Sequence, residues 1–212
     1  ASLADYTRLR EEAEGRARNL GLIHEVVQQV IGLTDAHAVA EITSDLLARY
    51  FAYELCAVFI ADEKGDLTIG GFGGTSQNVV KRAMKSFEYP VSGGITGIVF
   101  ETGESMVVND VLQDSRYRSV KGWQAGSEMC VGIREGEKIL GIIDVQSSSQ
   151  NAFTHNDFIA LESLAGILAS VITSADQYQR LQVTIDQLRN TQMELRARME
   201  ADPNWLAQGP GA

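Results

Sequence analysis

The chain is poor in the residues that several functional classes require. It has three prolines, two cysteines and three histidines in 212 residues, and it contains no run of Lys or Arg. Its net charge of −10 at pH 7 disfavours a nucleic-acid partner, because binding to a phosphate backbone depends on clustered cations. We expect no metal and no cofactor, since the histidines are scattered and none is paired at metal-ligand spacing.

Long apolar runs are also missing from the sequence. None approaches the roughly 20 residues that a membrane span needs, and the N-terminus lacks the charged and apolar order of a signal peptide. We therefore expect a cytoplasmic protein with no membrane partner. Cys56 and Cys130 each lie in an apolar, strand-like run, where a small buried hydrophobic residue is a commoner role than a disulfide partner.

The C-terminal part of the chain has coiled-coil spacing. From Phe158 to Met199 the apolar residues recur at steps of three and four. The clearest part of this seam consists of Tyr178, Leu181, Ile185, Leu188, Gln192, Leu195 and Met199. One helix over this stretch would be roughly 60 Å long, which is too long for the remaining domain to cover. We expect the same helix of a second copy to cover the exposed stripe.

A weaker seam of the same kind runs through the N-terminal residues. Its members are Leu3, Tyr6, Arg10, Ala13, Ala17, Leu20, His24, Val27 and Ile31. This first helix is predicted to end near Gly32 and to pack beside the domain and a second copy. Thr34 or Asp35 then offers an N-cap to a second amphipathic helix that reaches about Tyr50.

These patterns divide the chain into four parts. We expect a dimerising helix over 1–33, a globular domain over 34–175, a coiled-coil helix over 176–200 and a disordered tail over 201–212. The tail is rich in proline and glycine, which stop a helix. Because the chain begins with Ala1 instead of Met, we expect a piece excised from a longer protein.

The middle of the chain has strand-type patterns. Short apolar runs separated by turn residues predict two hairpins and one further strand, with two helices between them. In chain order the predicted elements are strands 55–62 and 67–74, a helix near 78–87, a helix from about 95 closed by Gly103, and strands 105–110, 128–135 and 138–146. This order predicts an α+β domain, with an antiparallel sheet and helices gathered on one side.

Two segments of this domain resemble a known family. GITGIVFETGESMVVNDVLQDSRY (94–117) and SEMCVGIREGEKILGIIDVQSSSQNAFTHNDFIALESLAGILASVI (127–172) resemble GAF domains, the small-molecule-sensing modules of signalling proteins. The resemblance covers about residues 34–175. It implies a sheet of five or six strands, ordered near 2-1-5-4-3, with the terminal helices on one face and a ligand cavity on the other. It also implies a parallel homodimer through the N- and C-terminal helices.

The resemblance implies a regulatory role without naming the output. GAF domains typically regulate histidine kinases of two-component systems, nucleotide cyclases, cyclic-nucleotide phosphodiesterases, diguanylate cyclases or transcription activators. The small-molecule partner is unknown, and a cyclic nucleotide is one candidate.

Asp144 is the sharpest candidate for a ligand-binding residue. It interrupts the apolar run ILGIIDV, and strand alternation places it on the face opposite Ile143 and Val145. If those two residues pack under the helices, Asp144 faces the cavity. Its burial would then require a partner, such as a ligand donor or a backbone amide.

Further candidates lie on or beside the loop that closes the cavity in GAF domains. Tyr117, Trp123, Ser127 and Met129 belong to this group, because aromatic residues on a polar loop are typical of binding. Phe72, which lies among four glycines, either lines the pocket or fills it.

The glycine pair before Ile95 and Thr96 has two interpretations. Free N–H groups and the helix dipole at this helix start favour an anion such as a phosphate. Paired glycines also serve turns that need positive φ, and we weigh the turn above the phosphate site.

Two acidic residues are interpreted mainly as helix caps. Asp110 resembles an Asp frequent at this point of the family, but it more often caps the following turn than contacts a ligand. Thr154 and Asp157 have the spacing of a cap at the start of the long helix.

The sequence predicts no enzymatic activity. No nucleophile lies beside a base at recognisable spacing. A few GAF proteins reduce free methionine sulfoxide through cysteines on pocket loops, whereas Cys56 and Cys130 lie in strands. We expect a non-enzymatic sensor that transmits its ligand state through a parallel coiled-coil dimer. The alternatives are a ligand-free GAF domain used as a dimerising spacer and, less favoured, a GAF-type methionine sulfoxide reductase.

Overall fold

A computed structural model describes residues 3–62, 64–75, 93–119 and 123–201. These ranges contain four α-helices, five strands and one short 3-10 turn. The helices are α1 (Leu3–Val30), α2 (Ala36–Phe51), α3 (Gly94–Thr102) and α4 (His155–Ala201), and the 3-10 turn is Val111–Gln113. The strands are β1 (Leu55–Ala61), β2 (Leu67–Gly73), β3 (Met106–Val108), β4 (Ser127–Glu135) and β5 (Lys138–Ser147). The predicted helix near 78–87 and the predicted tail after 201 lie outside the described residues.

The strands form one antiparallel sheet in the order β2-β1-β5-β4-β3. Two hairpins, β1–β2 and β4–β5, meet where β1 pairs with β5. The predicted α+β class and the strand order implied by the family resemblance are therefore confirmed. Gly136 has a φ of 60° in the tight β4–β5 turn, a backbone conformation that glycine adopts without a steric penalty.

The sheet has two buried faces, each with its own apolar cluster. We call the first the helix face, because α1, α2 and α4 cover it and pack on β-strand residues such as Val131, Ile143 and Val145. We call the second the α3 face, where Ile95 and Val99 of α3 pack on the sheet. On the α3 face the strands contribute Leu55, Ala57, Phe59, Leu67, Phe72, Cys130 and Ile142.

Glycines on β2 let α2 lie directly against the sheet. A Cβ at Gly71 or Gly73 would overlap the α2 backbone at Glu41 or Ser44. The glycine-rich run that follows Ile69 therefore serves backbone packing between a helix and an edge strand. This close contact holds α2 on the helix face.

The helix α4 begins at a reciprocal cap. The Asp157 N–H donates to Thr154 Oγ1 at 3.2 Å, and the Thr154 N–H donates to Asp157 Oδ2 at 2.8 Å, which confirms the predicted cap. The first part of α4 is buried against the sheet as far as Ala175, and residues 176–201 are exposed apart from the half-buried Ile185. At about 1.5 Å per residue, this second part extends roughly 40 Å beyond the domain.

The helix α1 lies beside α4 and runs in the same direction. Asn19 Nδ2 donates to the Asn156 carbonyl at 3.1 Å, near the start of α4. Farther along, Val27 and Ile31 lie across a groove from Val171 of α4. The exposed first half of α1 and the exposed second half of α4 therefore project from opposite ends of the domain.

The residues of α1 that pack on the domain are offset from its predicted seam. They are Asn19, Leu22, Val26 and Val30. Among the seam residues, Leu3, Tyr6, Leu20 and Ile31 are each more than 60% exposed. The weaker seam therefore forms the outer face of α1.

The apolar character of α4 is greater than the sequence analysis indicated. One 18-residue window has a mean hydropathy of 1.8, enough to cross a membrane by length and composition. In the fold, 44% of that window is buried inside the protein. Packing on the sheet therefore accounts for much of this hydropathy, and the window is only weak support for a membrane span.

Candidate functional site

Asp144 lies in the middle of β5 on the α3 face. Its cross-strand neighbours are Ala57 of β1 and Cys130 of β4, while the adjacent Ile143 and Val145 pack on the helix face. The side chain is 1% exposed. The alternation inferred from the sequence therefore places this carboxyl group correctly within the sheet.

The carboxyl group of Asp144 has few donors around it. Gln146 Nε2 donates to Asp144 Oδ2 at 2.9 Å, because residues two apart on a strand share a face. Asp144 Oδ1 is buried and accepts no hydrogen bond from an N–H or hydroxyl group of the described residues. A buried carboxylate oxygen without a donor is costly.

A second acid, Glu128 of β4, lies on the same face. Glu128 pairs across the strands with Gln146, one diagonal step from Asp144, and it is 3% exposed. The two carboxyl groups are within hydrogen-bonding reach of each other, so a proton held by one can be donated to the other.

Burial raises the pKa of both acids. It is the largest cause at Asp144, whose pKa rises to about 7 despite hydrogen bonds from Gln146 and Glu128 that lower it. Burial and the nearby Asp144 charge raise the pKa of Glu128 well above its ordinary value. Near neutral pH Glu128 is therefore protonated and Asp144 is partly ionised, so the pair keeps at least one proton and carries at most one negative charge.

A half-buried aromatic group links this pair to the protein surface. Trp123 Nε1 donates to Gln146 Oε1 at 2.9 Å, so hydrogen bonds lead from the indole through Gln146 to Asp144. Tyr117 packs on the same cluster, and its hydroxyl accepts a hydrogen bond from the Ala125 N–H at 3.2 Å. We call Glu128, Asp144, Gln146 and Trp123 the carboxyl cluster.

Two further candidates, Phe72 and Ile95, belong to the α3-face cluster, and a third, Thr96, follows Ile95 on α3. Phe72 packs edge-on against Phe59, with ring centroids 6.3 Å apart, and is 9% exposed. Ile95 is fully buried in the same apolar layer, and its neighbour Thr96 is half-buried. Phe72 and Ile95 therefore belong to the apolar layer around the site.

The glycine pair at the start of α3 forms a turn and Asp110 forms a cap, which are the two roles that we weighed as commoner. Gly93 and Gly94 both have a φ of 69°, a conformation that favours glycine. Asp110 Oδ1 accepts a hydrogen bond from the Leu112 N–H at 3.1 Å and so caps the 3-10 turn. Whether either feature also contacts a ligand stays a prediction.

Two of the predicted site residues, Ser127 and Met129, face away from the carboxyl cluster. Met129 is fully buried in the helix-face cluster. Ser127 Oγ donates to the Ser149 carbonyl at 2.7 Å and ties β4 to the loop before α4. The expectation grouped them by nearness to a loop, whereas strand alternation puts odd-numbered residues at this end of β4 on the helix face.

The same alternation could have found residues that the sequence analysis missed. Glu128 lies beside Met129 in an apolar run and is the even-numbered acid of that strand. Gln146 follows Asp144 by two residues. Strand alternation along β4 and β5, as used for Asp144, predicts the face on which both residues lie, although it does not predict that they are neighbours.

The two cysteines lie on opposite faces of the sheet. Cys56 belongs to the helix-face cluster and Cys130 to the α3 face, and both are buried free thiols. Burial and nearby carboxyl groups raise the pKa of the Cys130 thiol well above its ordinary value. Within the described ranges, no group of three or more His, Cys, Asp or Glu residues could hold a metal ion.

Comparison with known proteins identifies the fold. The family model described as GAF domain matches residues 34–173. A free methionine-R-sulfoxide reductase from Neisseria meningitidis, solved with its substrate, is 21% identical with a TM-score of 0.66, covering 77% of this chain and 93% of that chain. The GAF domain of a phosphoenolpyruvate-protein phosphotransferase from Coxiella burnetii is 18% identical with a TM-score of 0.66, covering 78% of this chain and 98% of that chain. No curated protein matches the sequence.

One of these findings corrects an expectation. From the sequence we predicted that the chain has no enzymatic activity. Structures that share its fold include the Neisseria reductase and a free methionine-R-sulfoxide reductase of Staphylococcus aureus, which is 21% identical with a TM-score of 0.60 over 73% of this chain and 95% of that chain. The prediction that the chain is not an enzyme was therefore wrong. It was inferred from the fold and from the placement of the cysteines, but the same fold also occurs in enzymes.

Proposed function

Because this chain belongs to the GAF domain family, we propose that it is the small-molecule-sensing, regulatory domain of a cytoplasmic multidomain signalling protein. The observation that carries the proposal is the carboxyl cluster on the α3 face. Asp144 is buried, and its Oδ1 atom accepts no hydrogen bond from an N–H or hydroxyl group of the described residues, which is costly when the carboxyl group is ionised. Its presence is explained if a ligand completes the site.

The strand β5 offers a direct route from the ligand to the output helix. Asp144 faces the α3 side, and its neighbours Ile143 and Val145 pack on the helix face with Leu161 and Leu164 of α4. A ligand that binds and displaces Asp144 also displaces β5, on which α4 packs. For this to act as a switch, two arrangements of α4 must bind the ligand with different affinity.

We propose that a second copy of the chain covers the exposed faces of α1 and α4. A groove of about 670 Å³ between these helices is lined by Val27, Ile31, Val171 and Tyr178. It is continuous with the α4 seam, where Leu181 is 56% exposed and Leu188 is 65% exposed. Apolar stripes of this length are typical of helices that pair in parallel coiled coils.

The sensing proposal is tested by identifying a bound small molecule. Native mass spectrometry of the chain purified from its own cells should show an added mass that denaturation releases. The released molecule should raise the Tm of the ligand-free chain, since a ligand that binds only the folded state stabilises it. The absence of any bound or stabilising small molecule would instead support the dimerising spacer.

A second candidate function is free methionine sulfoxide reduction. The structures that share the fold favour it, as does the location of Cys130 on the α3 face near Glu128 and Asp144. The Cys130 sulfur would attack the sulfoxide sulfur, and the oxygen would pass to the cysteine as a sulfenic acid while the thioether leaves. An added dithiol would then restore the thiol, releasing water and forming its own disulfide.

The paired cysteines supply a matched control for this candidate. Turnover of free methionine-R-sulfoxide with dithiothreitol must be lost in Cys130→Ser and retained in Cys56→Ser, because only Cys130 lies on the α3 face. The high pKa of the Cys130 thiol works against this role, since the thiolate is the nucleophile. Equal turnover in both variants and the parent chain would refute a cysteine mechanism.

A further inference from the structure

We propose that the ligand carries a positively charged nitrogen, a small organic ammonium or guanidinium group, which binds Asp144 and Glu128 on the α3 face. This inference rests on the proposed sensing function and specifies the ligand class. It follows from the charge and donor balance of the carboxyl cluster.

The two buried acids have no positively charged partner within the described ranges. Glu128 and Asp144 are only 3% and 1% exposed. Buried carboxylates in proteins are usually paired with a cation. A ligand cation would supply both the charge and the N–H donors that Asp144 Oδ1 lacks.

Two aromatic side chains pack on the same face of the sheet as the acids. Trp123 and Tyr117 are both half-buried and pack against the α3-face cluster. Trp123 is joined to Asp144 through Gln146. Aromatic faces beside a carboxylate are suited to a cation with an apolar body, because the ring quadrupole attracts positive charge.

An anionic ligand fits the carboxyl cluster poorly. A phosphate or carboxylate ligand would meet a buried pair that already carries negative charge. A cyclic nucleotide, one candidate from the family resemblance, would therefore have to bind away from Asp144. The cluster favours a ligand of the opposite charge.

Cation binding should release the proton that the pair holds. Glu128 and Asp144 share that proton. The other titratable groups near them are Cys130 on β4, Tyr117 and Asp114, and the charge of Asp114 raises the pKa of Glu128. Cys56 lies on the helix face of the sheet, and the charge of Asp144 also raises the pKa of its thiol. Affinity for a cation should therefore rise with pH, by at most about tenfold per pH unit for one released proton.

The test uses the full chain and a defined set of probes. Tm and calorimetric Kd are measured at pH 5.5 and pH 8 with butylammonium, choline, putrescine and agmatine, and with acetate, succinate and cyclic AMP as anionic probes. We expect at least one cation to stabilise the chain, with a lower Kd at pH 8. We expect the anions to have no effect that depends on Asp144.

Variants assign the effect to the cluster. Asp144→Asn should weaken cation binding about tenfold or more, because a neutral amide replaces the ion-pair partner, and Glu128→Gln should weaken it in the same direction. Asp186→Asn, which removes the same charge from the exposed part of α4, should bind like the parent chain. Equal cation binding in all of these proteins would overturn the proposal.

The outcomes separate this inference from the sensing function. If the molecule released from the native protein is neutral or anionic, the domain is a sensor and the proposed ligand class is wrong. If no molecule of any class stabilises the chain, the sensing function fails and this inference fails with it. A cation whose binding is lost in Asp144→Asn supports both.

Discussion

The carboxyl group of Asp144 destabilises the folded state when it is ionised. It is buried in the centre of the sheet, and burial raises its pKa from 3.8 to about 7. The folded state therefore binds protons that the unfolded state has already released at neutral pH. Stability conferred by such a group is complete below pH 4 and is lost as the pH rises through 7.

We predict that the ligand-free chain is more stable at pH 5.5 than at pH 8. The pKa of Asp144 implies a loss of about 2 kcal/mol in the free energy of unfolding over this interval. Asp114 does not oppose the effect, because Arg116 lowers its pKa to about 2 and it is ionised throughout. Denaturant unfolding at a series of pH values measures the change.

The Asp144→Asn variant separates this group from the others. Its stability should vary less with pH than that of the parent chain, and Asp186→Asn should keep the parent's pH dependence. A parent chain whose stability is constant or increases from pH 5.5 to pH 8 would contradict the burial of an ionisable Asp144.

At the scale of elements, α2 packs closely on β2 because the glycines of β2 have no side chain. A Cβ at Gly73 would overlap the Ser44 backbone, whereas a Cβ at the exposed Gly166 of α4 meets nothing within 4 Å. The same substitution should therefore have opposite effects at the two positions.

We predict that Gly73→Ala destabilises the chain, by about 1–3 kcal/mol, because α2 must move away from the sheet. Gly166→Ala should stabilise it by about 0.5–1 kcal/mol, since alanine favours a helix more than glycine does. Denaturant midpoints compared with the parent chain test both signs. A neutral Gly73→Ala would show that α2 is not held against β2.

Element types were largely predictable, and the reasons are local, whereas the strand order was implied only by the family resemblance. The two hairpins follow from dense apolar runs interrupted by turn residues, and the α4 start follows from Thr154 and Asp157. The site was only partly predictable. Strand alternation placed Asp144 on the correct face of the sheet. Ser127 and Met129 were assigned to the site because they lie near a loop. The nearness of Glu128 to Asp144 depends on the register between β4 and β5.

At the scale of the whole molecule, two projecting helices leave the domain at opposite ends. The second half of α4 has an exposed apolar seam that no described part of the chain covers. In the proposed dimer, complete burial of a Leu, Ile or Met side chain of the seam contributes about 1.5–3 kcal/mol.

We predict that the full chain is a dimer with twice the 23.1 kDa chain mass. Leu188→Glu should dissociate it, because a charge would be buried in the seam. Val183→Glu makes a comparable change at a residue that is 57% exposed and off the seam, and it should leave the dimer intact. Light scattering over a concentration series distinguishes these results, and a monomeric parent chain would contradict the proposal.

We also predict that the paired helices are parallel and in register. A cysteine introduced by Met199→Cys, at a seam position, should form a disulfide between copies on oxidation, because identical seam positions meet in a parallel pair. Ala197→Cys, on the outer surface, should cross-link much less. Non-reducing electrophoresis gives the ratio, and equal cross-linking of the two variants would argue against a parallel pair.

Residues near one another along the chain largely determined the helices, the hairpins and the heptad seam, because hydrogen bonding, turn chemistry and side-chain periodicity act over a few positions. Only the tertiary structure brought Glu128, Asp144, Gln146 and Trp123 together, since strand register and sheet faces depend on pairings between distant segments. The charge state of that cluster was decided there as well. A carboxyl group changes its pKa when the surrounding chain removes water from it, and no local pattern specifies which side chains will do so.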